Sequence, residues 1–500
     1  MRWQIAGLSA IAGAVAALCL PPINLLPAVF CLAYPALQLG SAKTWPAAAL
    51  ISAATGLGWF TSSTHWIAHS LLVGEAEFWF LLPFAALGIP ALLAMFWCVA
   101  GVFAWKLGGQ ASRRITLFIL FLGLAEFARG HIATGFPWNA PGYLVSVHPA
   151  LLQSASWFGL YGLNLLVLCF AISPAYFFVR QRPLGILFFC IMPLVAGLGA
   201  IRLADNIDGD NGIVTNTAAA QKIRLVQPSI PQADKWDRDK RQKHFDQILR
   251  LSTSKMPIPR LVVWPETAFS AFPGRNAALL RDMATAALPF DGMLITGLPR
   301  LENGRLFNSA ALVDATGEIT AIYDKRRLVP FGEFAPFRRF LPFVDVIAGP
   351  VDFSAGENDS LFDVPGYGKV RLLICYETIF SGEIVNGEAR PDLIVNITND
   401  AWFGRTLGPW QHLAQSRMRA VEEGIAVIRV ANNGISAGFD GFGRSLGQID
   451  LDDTGIIDVV APPPLSPTLF SKYRHSAFFL FSVLLALLAL RLDRKTAIRQ

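Results

Sequence analysis

Charge is what this chain has least of. Only 16% of its 500 residues are Asp, Glu, Lys or Arg, against 53% hydrophobic residues and a mean hydropathy of +0.44. An ordinary soluble domain carries about 25% charged residues. There is more apolar surface here than a water-facing fold hides, so a membrane protein is the first reading. No long Lys/Arg cluster with interleaved aromatics occurs, which argues against nucleic-acid binding. Neither a Cys-x-x-Cys pair nor a His-Glu-x-x-His run is present, so no metal or cofactor is expected. Cysteine is scarce as well. Cys19, Cys31, Cys98, Cys169 and Cys190 lie in apolar segments, where a free thiol behaves as a small hydrophobe. Cys375 alone belongs to a soluble stretch, at the end of the apolar run Arg371-Leu-Leu-Ile374. There it is either core filler or a nucleophile.

What is abundant is apolar sequence at both ends. Seven segments, at 5–20, 25–39, 46–61, 78–105, 115–125, 157–179 and 184–201, precede residue 203, and an eighth lies at 476–492. Several approach the roughly 20 residues of a spanning helix, the second and fifth being short. The first segment runs into Pro21-Pro22 without a small-residue cleavage site, so it reads as a retained helix. Basic residues set the orientation. With the N-terminus inside, Arg2, Lys43, Lys106, Arg113, Arg114, Arg180, Arg182 and the C-terminal Arg491, Arg494, Lys495 and Arg499 fall inside. Among the short outside connections only Arg129 lies near a span end. The asymmetry places the insert between the last two spans outside the cytoplasm. Two outside connections carry polar residues of their own. Glu126 and Arg129 at helical spacing either pair with each other or form a collar for a head group. His65 and His69 read as a hydrated interfacial pair.

The insert, 221–464, alternates short strands and helices, which argues for a layered α/β domain. Strands are expected at 223–226, 261–264, 293–297, 308–314, 318–323, 369–374, 393–397 and 426–430, and helices at 237–253, 275–287, 377–388 and 411–423. Glu266, Lys325 and Cys375 each follow a strand, where side chains of such folds converge. A thiol needs a base or a cation to become thiolate near neutral pH. The insert's histidines, His244 and His412, stand in no protease-like context, and His412 is expected to face solvent or a neighbour. A Glu base with a Lys cation is then the economical assembly.

Three segments in order, Val263-Trp-Pro-Glu-Thr267, Lys325 with Leu328-Val-Pro-Phe-Gly-Glu333, and Cys375-Tyr-Glu377, resemble the Glu-Lys-Cys triad of the nitrilase superfamily. With the flanking apolar segments and Gly135-Phe-Pro-Trp138, the whole chain resembles the membrane-bound apolipoprotein N-acyltransferase family within it. The resemblance implies eight transmembrane helices plus an extracytoplasmic αββα nitrilase-like sandwich. It divides the chain into a seven-helix domain at 1–203, a catalytic domain at 221–464 and a last helix at 476–492. It implies Glu266 as general base, Lys325 as oxyanion stabiliser and Cys375 as nucleophile, with Glu333, Glu377, Tyr376, Asn308 and Trp236 in supporting or substrate-binding positions. It also implies a phospholipid acyl donor, a diacylated apolipoprotein acceptor, no cofactor, and a monomer in the bacterial inner membrane with cytoplasmic termini.

Other features stay open at this stage. Asp324, Arg326 and Arg327 read as surface charges. Asn399-Asp-Ala-Trp-Phe-Gly404 is either an ordinary turn or part of the site's lining. The stretch 334–353 carries Phe334, Phe337, Phe340, Phe343 and Phe353, with Arg338 and Arg339, and reads as buried packing or as a hydrophobic lid over acyl chains. A tethered amidase using the same triad with water is the competing activity. Transport is disfavoured by the scarcity of ionisable residues in the spans.

Overall fold

A computed structural model describes residues 2–73, 79–205, 221–336, 338, 351–385 and 389–497. Phe337, Arg339, Phe340 and Phe343, and with them most of the expected lid, lie outside the described residues. The chain divides into two compact units. One joins 1–69, 78–210 and 467–500; the other joins 70–77 with 211–466.

The first unit is helical. Its longer helices are Arg2–Ala16, Trp45–Thr64, Leu82–Gly108, Ala111–His131, Ala155–Phe178, Arg182–Ala204 and Ser476–Ala497. Among the described residues, three helices are long and apolar enough to cross a membrane: Trp79–Gly108, Ala155–Phe178 and Arg182–Ala204. The apolar runs in the sequence predict eight. Trp3–Cys19, Leu26–Gly40 and Ser476–Leu492 are apolar but shorter. The short segment expected at 115–125 belongs to the helix Ala111–His131, which carries Arg113, Arg114, Glu126 and Arg129. Glu126 and Arg129 pair with each other, Nε to Oε1 at 3.2 Å, both fully enclosed. Helix Arg2–Ala16 crosses helix Trp45–Thr64 at small residues. A Cβ at Gly13 would meet the Thr55 carbonyl oxygen at 2.1 Å, and one at Gly58 the Ala10 oxygen at 1.8 Å. Such close backbone approach is how helices associate where water supplies no hydrophobic drive. Phe84, Leu92, Met95, Leu187 and Leu194 are exposed, an outward apolar face suited to lipid.

Among the described residues the second unit has twelve strands: β1 Lys222–Gln227, β2 Leu261–Val263, β3 Met293–Glu302, β4 Arg305–Asp314, β5 Ile319–Asp324, β6 Leu361–Val364, β7 Gly368–Ile374, β8 Leu393–Thr398, β9 Val427–Ala431, β10 Ser436–Phe439, β11 Ser445–Ile449 and β12 Gly455–Val460. They form two six-stranded sheets, ordered β12-β1-β2-β3-β4-β5 and β11-β10-β9-β8-β7-β6. The middle pairs β1/β2, β2/β3, β7/β8 and β8/β9 are parallel and the outer pairs antiparallel. Alternation along the strands decides the layering. Ile223, Leu225, Leu261 and Val263 share one core with Leu372, Ile374, Val395 and Ile428 from the other sheet. The intervening Val262 and Leu294 pack outward with Phe245, Ile248 and Met283 of the helices Arg241–Thr253 and Ala277–Ala287. Leu373 and Ile394 pack outward with Leu413 and Ala420 of the helix Gly408–Glu423. The order helix, sheet, sheet, helix is an αββα sandwich.

Two local expectations fail for physical reasons. The helix expected at 377–388 is a single tight turn, Cys375–Ile379. Cys375 enters it at φ +50°, Gly382 has φ +83°, and the Glu377 carboxylate takes the Ile374 N–H that a longer helix would leave to solvent. Strand β3 runs five residues past its expected end at 297 and forms a hairpin with β4. It turns on Asn303-Gly304, both at positive φ, the favoured two-residue turn.

Gly297 on β3 is where sheet and site meet. A Cβ there would lie 2.3 Å from the Thr267 nitrogen and 2.6 Å from the Glu266 Cα. Gly297→Ala must push the Glu266 segment off the sheet. Overpacking of this kind costs about 1–3 kcal/mol, so the variant is expected to unfold at lower temperature and to lose reactivity at Cys375. Thermal unfolding and thiol alkylation measured together check this.

Candidate active site

Glu266, Lys325 and Cys375 each lie just beyond the end of a strand. Beyond β2 the chain is stitched to β3: the Trp264 N–H donates to the Ile295 oxygen at 2.8 Å and the Phe269 N–H to the Gly297 oxygen at 3.0 Å. Glu266 sits between these ties, 6% exposed. Lys325 follows β5 directly, its N–H donating to the Asn308 oxygen of β4 at 2.9 Å. Cys375 follows β7 and is buried at φ +50°. A non-glycine residue in that region costs of order 1–3 kcal/mol, and such strain concentrates at reactive positions.

The charged groups interlock. Lys325 Nζ lies 2.9 Å from Glu333 Oε2 and 3.6 Å from Glu266 Oε1, with its side chain 1% exposed. Asn308 Nδ2 donates to Glu266 Oε1 and to Glu333 Oε1, both at 2.7 Å, and so holds the carboxylates around the ammonium. The Val329 N–H fixes the other Glu333 oxygen at 2.8 Å. Burial works against the Lys325 charge, but Glu333 and Glu266 outweigh it, and its pKa stands above the usual lysine value. The Cys375 thiol is pushed up to about 12, first by burial and then by the Glu266 charge. Lys325 and the Thr398 hydroxyl pull the other way. The resting group is therefore a thiol, and its activation requires a base.

Glu377 has a different place. Its Oε1 accepts from Tyr323 Oη at 2.6 Å and from the N–H groups of Arg326 and Arg327 at 2.8 and 3.2 Å; its Oε2 accepts from the Ile374 N–H at 2.8 Å. It ties the Cys375 turn to the segment that carries Lys325. Burial raises its pKa despite these donors. Tyr376 is buried with its ring edge-on to Phe380. Trp236 is 47% exposed and lines an open cleft with Arg238, Arg241 and Arg275.

Behind these groups lies a second layer that sequence reasoning misses. Asp324, expected at the surface, is 2% exposed. Opposite Ser309 in the ladder, it accepts from Ser309 Oγ at 2.6 Å and from Arg300 Nε at 3.0 Å, which anchors the strand end beside Lys325. Arg326 is exposed as expected, and Arg327 is half-buried and pairs with Glu383 at 2.6 Å. His412 does not face solvent: it is fully buried. Its Nε2 lies 3.2 Å from the Cys375 carbonyl oxygen, and since a carbonyl only accepts, Nε2 carries the proton. Asn396 Nδ2 donates to the same oxygen at 3.3 Å. Behind them, Asp400 Oδ1 lies 2.9 Å from His412 Nδ1, and Oδ2 takes Arg429 at 2.5 Å. Burial and the Arg429 charge lower the His412 pKa, while Arg429 and His412 hold Asp400 below the usual carboxylate range in spite of burial. The turn Asn399–Gly404 thus lines the site through Asp400. Ligand atoms of Cys375, Asp400 and His412 lie within 4.8 Å of one another, a spacing that a metal ion accepts, but the Arg429 guanidinium already supplies the cation. Removing one charge of a buried pair destabilises by about 3–5 kcal/mol. Asp400→Asn is therefore expected to lower the unfolding temperature sharply and to disorder the Cys375 carbonyl, read by thermal unfolding and by thiol alkylation rate.

Comparison with known proteins follows the same division. The Carbon-nitrogen hydrolase family model matches residues 222–460, and the Apolipoprotein N-acyltransferase N-terminal domain model matches 12–173. The chain is 37% identical to the apolipoprotein N-acyltransferase of Allorhizobium ampelinum, over 97% of this chain and 94% of that protein. It is 36% identical to the protein of that name from Bradyrhizobium diazoefficiens, over 98% of this chain and 95% of that one. The relative from Brucella melitensis is 36% identical over 93% and 91%. Among solved structures, a mutant of the amidase from Nesterenkonia sp. AN1 covers 52% of this chain and 97% of its own, at 21% identity and a TM-score of 0.38.

Proposed function

The chain belongs to the apolipoprotein N-acyltransferase family, and from that membership we propose the reaction and the residues that carry it. The enzyme is an acyltransferase of lipoprotein maturation. It transfers a fatty acyl chain from a membrane phospholipid, through a thioester on Cys375, to the α-amine of an apolipoprotein's diacylglyceryl-modified N-terminal cysteine. The observation that carries this reading is Cys375, buried at the end of β7, with Glu266 and the enclosed Lys325, themselves 3.6 Å apart, as its charged neighbours.

In the first half-reaction Glu266 takes the thiol proton and the sulfur attacks the ester carbonyl. The developing oxyanion is met by the Lys325 ammonium, which Glu333 and Glu266 keep charged, and by a backbone N–H near Cys375. Glu266 returns the proton to the departing alkoxide, and lyso-phospholipid leaves. In the second half-reaction the amine attacks the thioester, Glu266 takes its proton, and the thiolate leaves. Asn308 and Glu333 hold the ion pair, and Glu377 holds the Cys375 turn against the Lys325 segment. Tyr376 and Trp236 contribute to substrate contact. The enzyme acts as a monomer and takes no cofactor.

The domain extents 1–203, 221–464 and 476–492 are part of the proposal, as is an eight-span arrangement in the bacterial inner membrane. Both termini are cytoplasmic and the catalytic domain is periplasmic. The excess of Lys and Arg in the connections assigned to the inside supports that orientation. The apolar helices and the outward apolar face support the membrane setting.

The test uses full-length protein in detergent with phospholipid labelled in its acyl chain. Label is expected on Cys375 as a hydroxylamine-sensitive thioester and is expected to move to a diacylated lipopeptide amine. Loss of a general base costs about 10²–10⁴-fold, so Glu266→Gln should slow thioester formation to that degree. Lys325→Met should slow it by at least about 10²-fold through the lost oxyanion donor. Label that persists in Cys375→Ser would sink the assignment, and release only as free fatty acid would turn the reading toward a hydrolase.

A further inference from the structure

A second buried lysine stands beside the site. Lys235 is 3% exposed, and its Nζ donates to the Glu266 carbonyl oxygen at 2.9 Å. It comes from the turn before Trp236, where its N–H donates to the Gln232 oxygen at 3.3 Å, and Gln232 in turn accepts from Asn399 Nδ2 at 2.7 Å. Glu266 and Cys375 both favour its charged form. Its chain neighbour Asp234 is engaged elsewhere, by Lys240 at 2.6 Å. A buried ammonium held by a neutral carbonyl is expensive to keep. Its compensation has to come from the charges around it.

Those charges can be counted. Glu266 and Glu333 are two carboxylates that share Lys325, at 3.6 and 2.9 Å. With Lys325 alone the enclosure carries one negative charge in excess, and a negative field opposes forming a thiolate inside it. With Lys235 included, these two carboxylates are matched by two ammonium groups and their sum is zero. Glu377 and Asp400, the other carboxylates beside Cys375, have partners of their own, Glu377 in the Tyr323 hydroxyl and backbone N–H groups and Asp400 in Arg429. When the proton passes from Cys375 to Glu266, the negative charge moves from oxygen to sulfur, and the sum remains zero. We propose that Lys235 is the second cation of the active site, a positioning residue that balances the Glu266–Glu333 pair and draws Cys375 toward its thiolate form. Its own proton is held at neutral pH: burial lowers its pKa to about 8, with Glu266 and Cys375 opposing the fall. The charge is present below that value and is lost as pH rises through it.

The inference rests on Cys375 as nucleophile and Glu266 as base, but its test needs no lipid. Full-length protein in detergent is treated with iodoacetamide over a pH series from neutral to alkaline, and the Cys375 peptide is quantified by mass spectrometry. Lys235→Met and Lys235→Gln are expected to alkylate more slowly than the parent protein below about pH 8, where the Lys235 charge is present, and to converge with it above, where that charge is lost. They should slow alkylation at neutral pH about tenfold, while Lys235→Arg stays near the parent protein. Thermal unfolding identifies any variant that fails to fold, and the Gln and Arg variants then carry the comparison. A parent-like alkylation rate at neutral pH in Lys235→Met overturns the proposal. So does recovery in Lys235→Gln, which would reduce Lys235 to a hydrogen-bond donor for the Glu266 carbonyl. Parent protein that alkylates as described but transfers no acyl group would sink the proposed reaction and leave this inference standing.

Discussion

An ammonium enclosed with two carboxylates is the constraint on which the α/β unit depends. Lys325 is 1% exposed, and water does little there to stabilise its charge. Glu333 and Glu266 must therefore be brought to it, and Asn308 must keep the two carboxylates from drifting apart. Buried ion pairs of this kind contribute little net stability, because desolvation offsets the Coulomb gain. Their use lies in what they prepare. A cation held charged in a dry pocket can meet an oxyanion without reorganising, which is where such donors act most strongly.

The two sheets solve the problem of bringing these groups together. Glu266 and Lys325 leave one sheet and Cys375 leaves the other, and a shared core of alternating aliphatic residues sets the distance between them. Glu377 then links the halves directly, since one carboxylate accepts from Tyr323 and the Arg326 and Arg327 backbone on one side and from the Ile374 backbone on the other. Gly297 removes the last obstacle by letting the Glu266 segment lie flat on β3. Behind the thiol, His412 and Asn396 hold the Cys375 carbonyl while Arg429 and Asp400 hold them. The strained backbone at Cys375 is thus fixed through its carbonyl oxygen.

Much of this is legible in the amino-acid sequence. Composition points to a membrane protein, and the ordered Glu, Lys and Cys segments point to three positions that the fold leaves just beyond strand ends. The central strands are legible because they are buried on both faces and run as mostly aliphatic stretches. The peripheral strands β6, β10, β11 and β12 are not, since they are short and broken by residues such as Gly438 and Gly447. A span count of eight follows from apolar runs alone, whereas the described helices of full spanning length and apolarity number three.

What the sequence determined by itself is which chemistry is on offer: a lone thiol outside the apolar segments, a carboxylate and a lysine at strand ends, and an apolar bulk suited to lipid. Local pattern carries such information because strand-end position and hydrophobic period are properties of neighbouring residues. Which charges are buried was decided only by the tertiary structure. Asp324 reads as a surface charge in the sequence, nothing there marks Arg429 or Lys235, and the places of Asp400 and His412 stay open; all five are enclosed. Their partners stand far along the chain, Arg429 being twenty-nine positions from Asp400 and Lys235 thirty-one from Glu266. A buried charge is tolerated only where its counter-charge or hydrogen-bond partner arrives, and no local window of sequence contains that event.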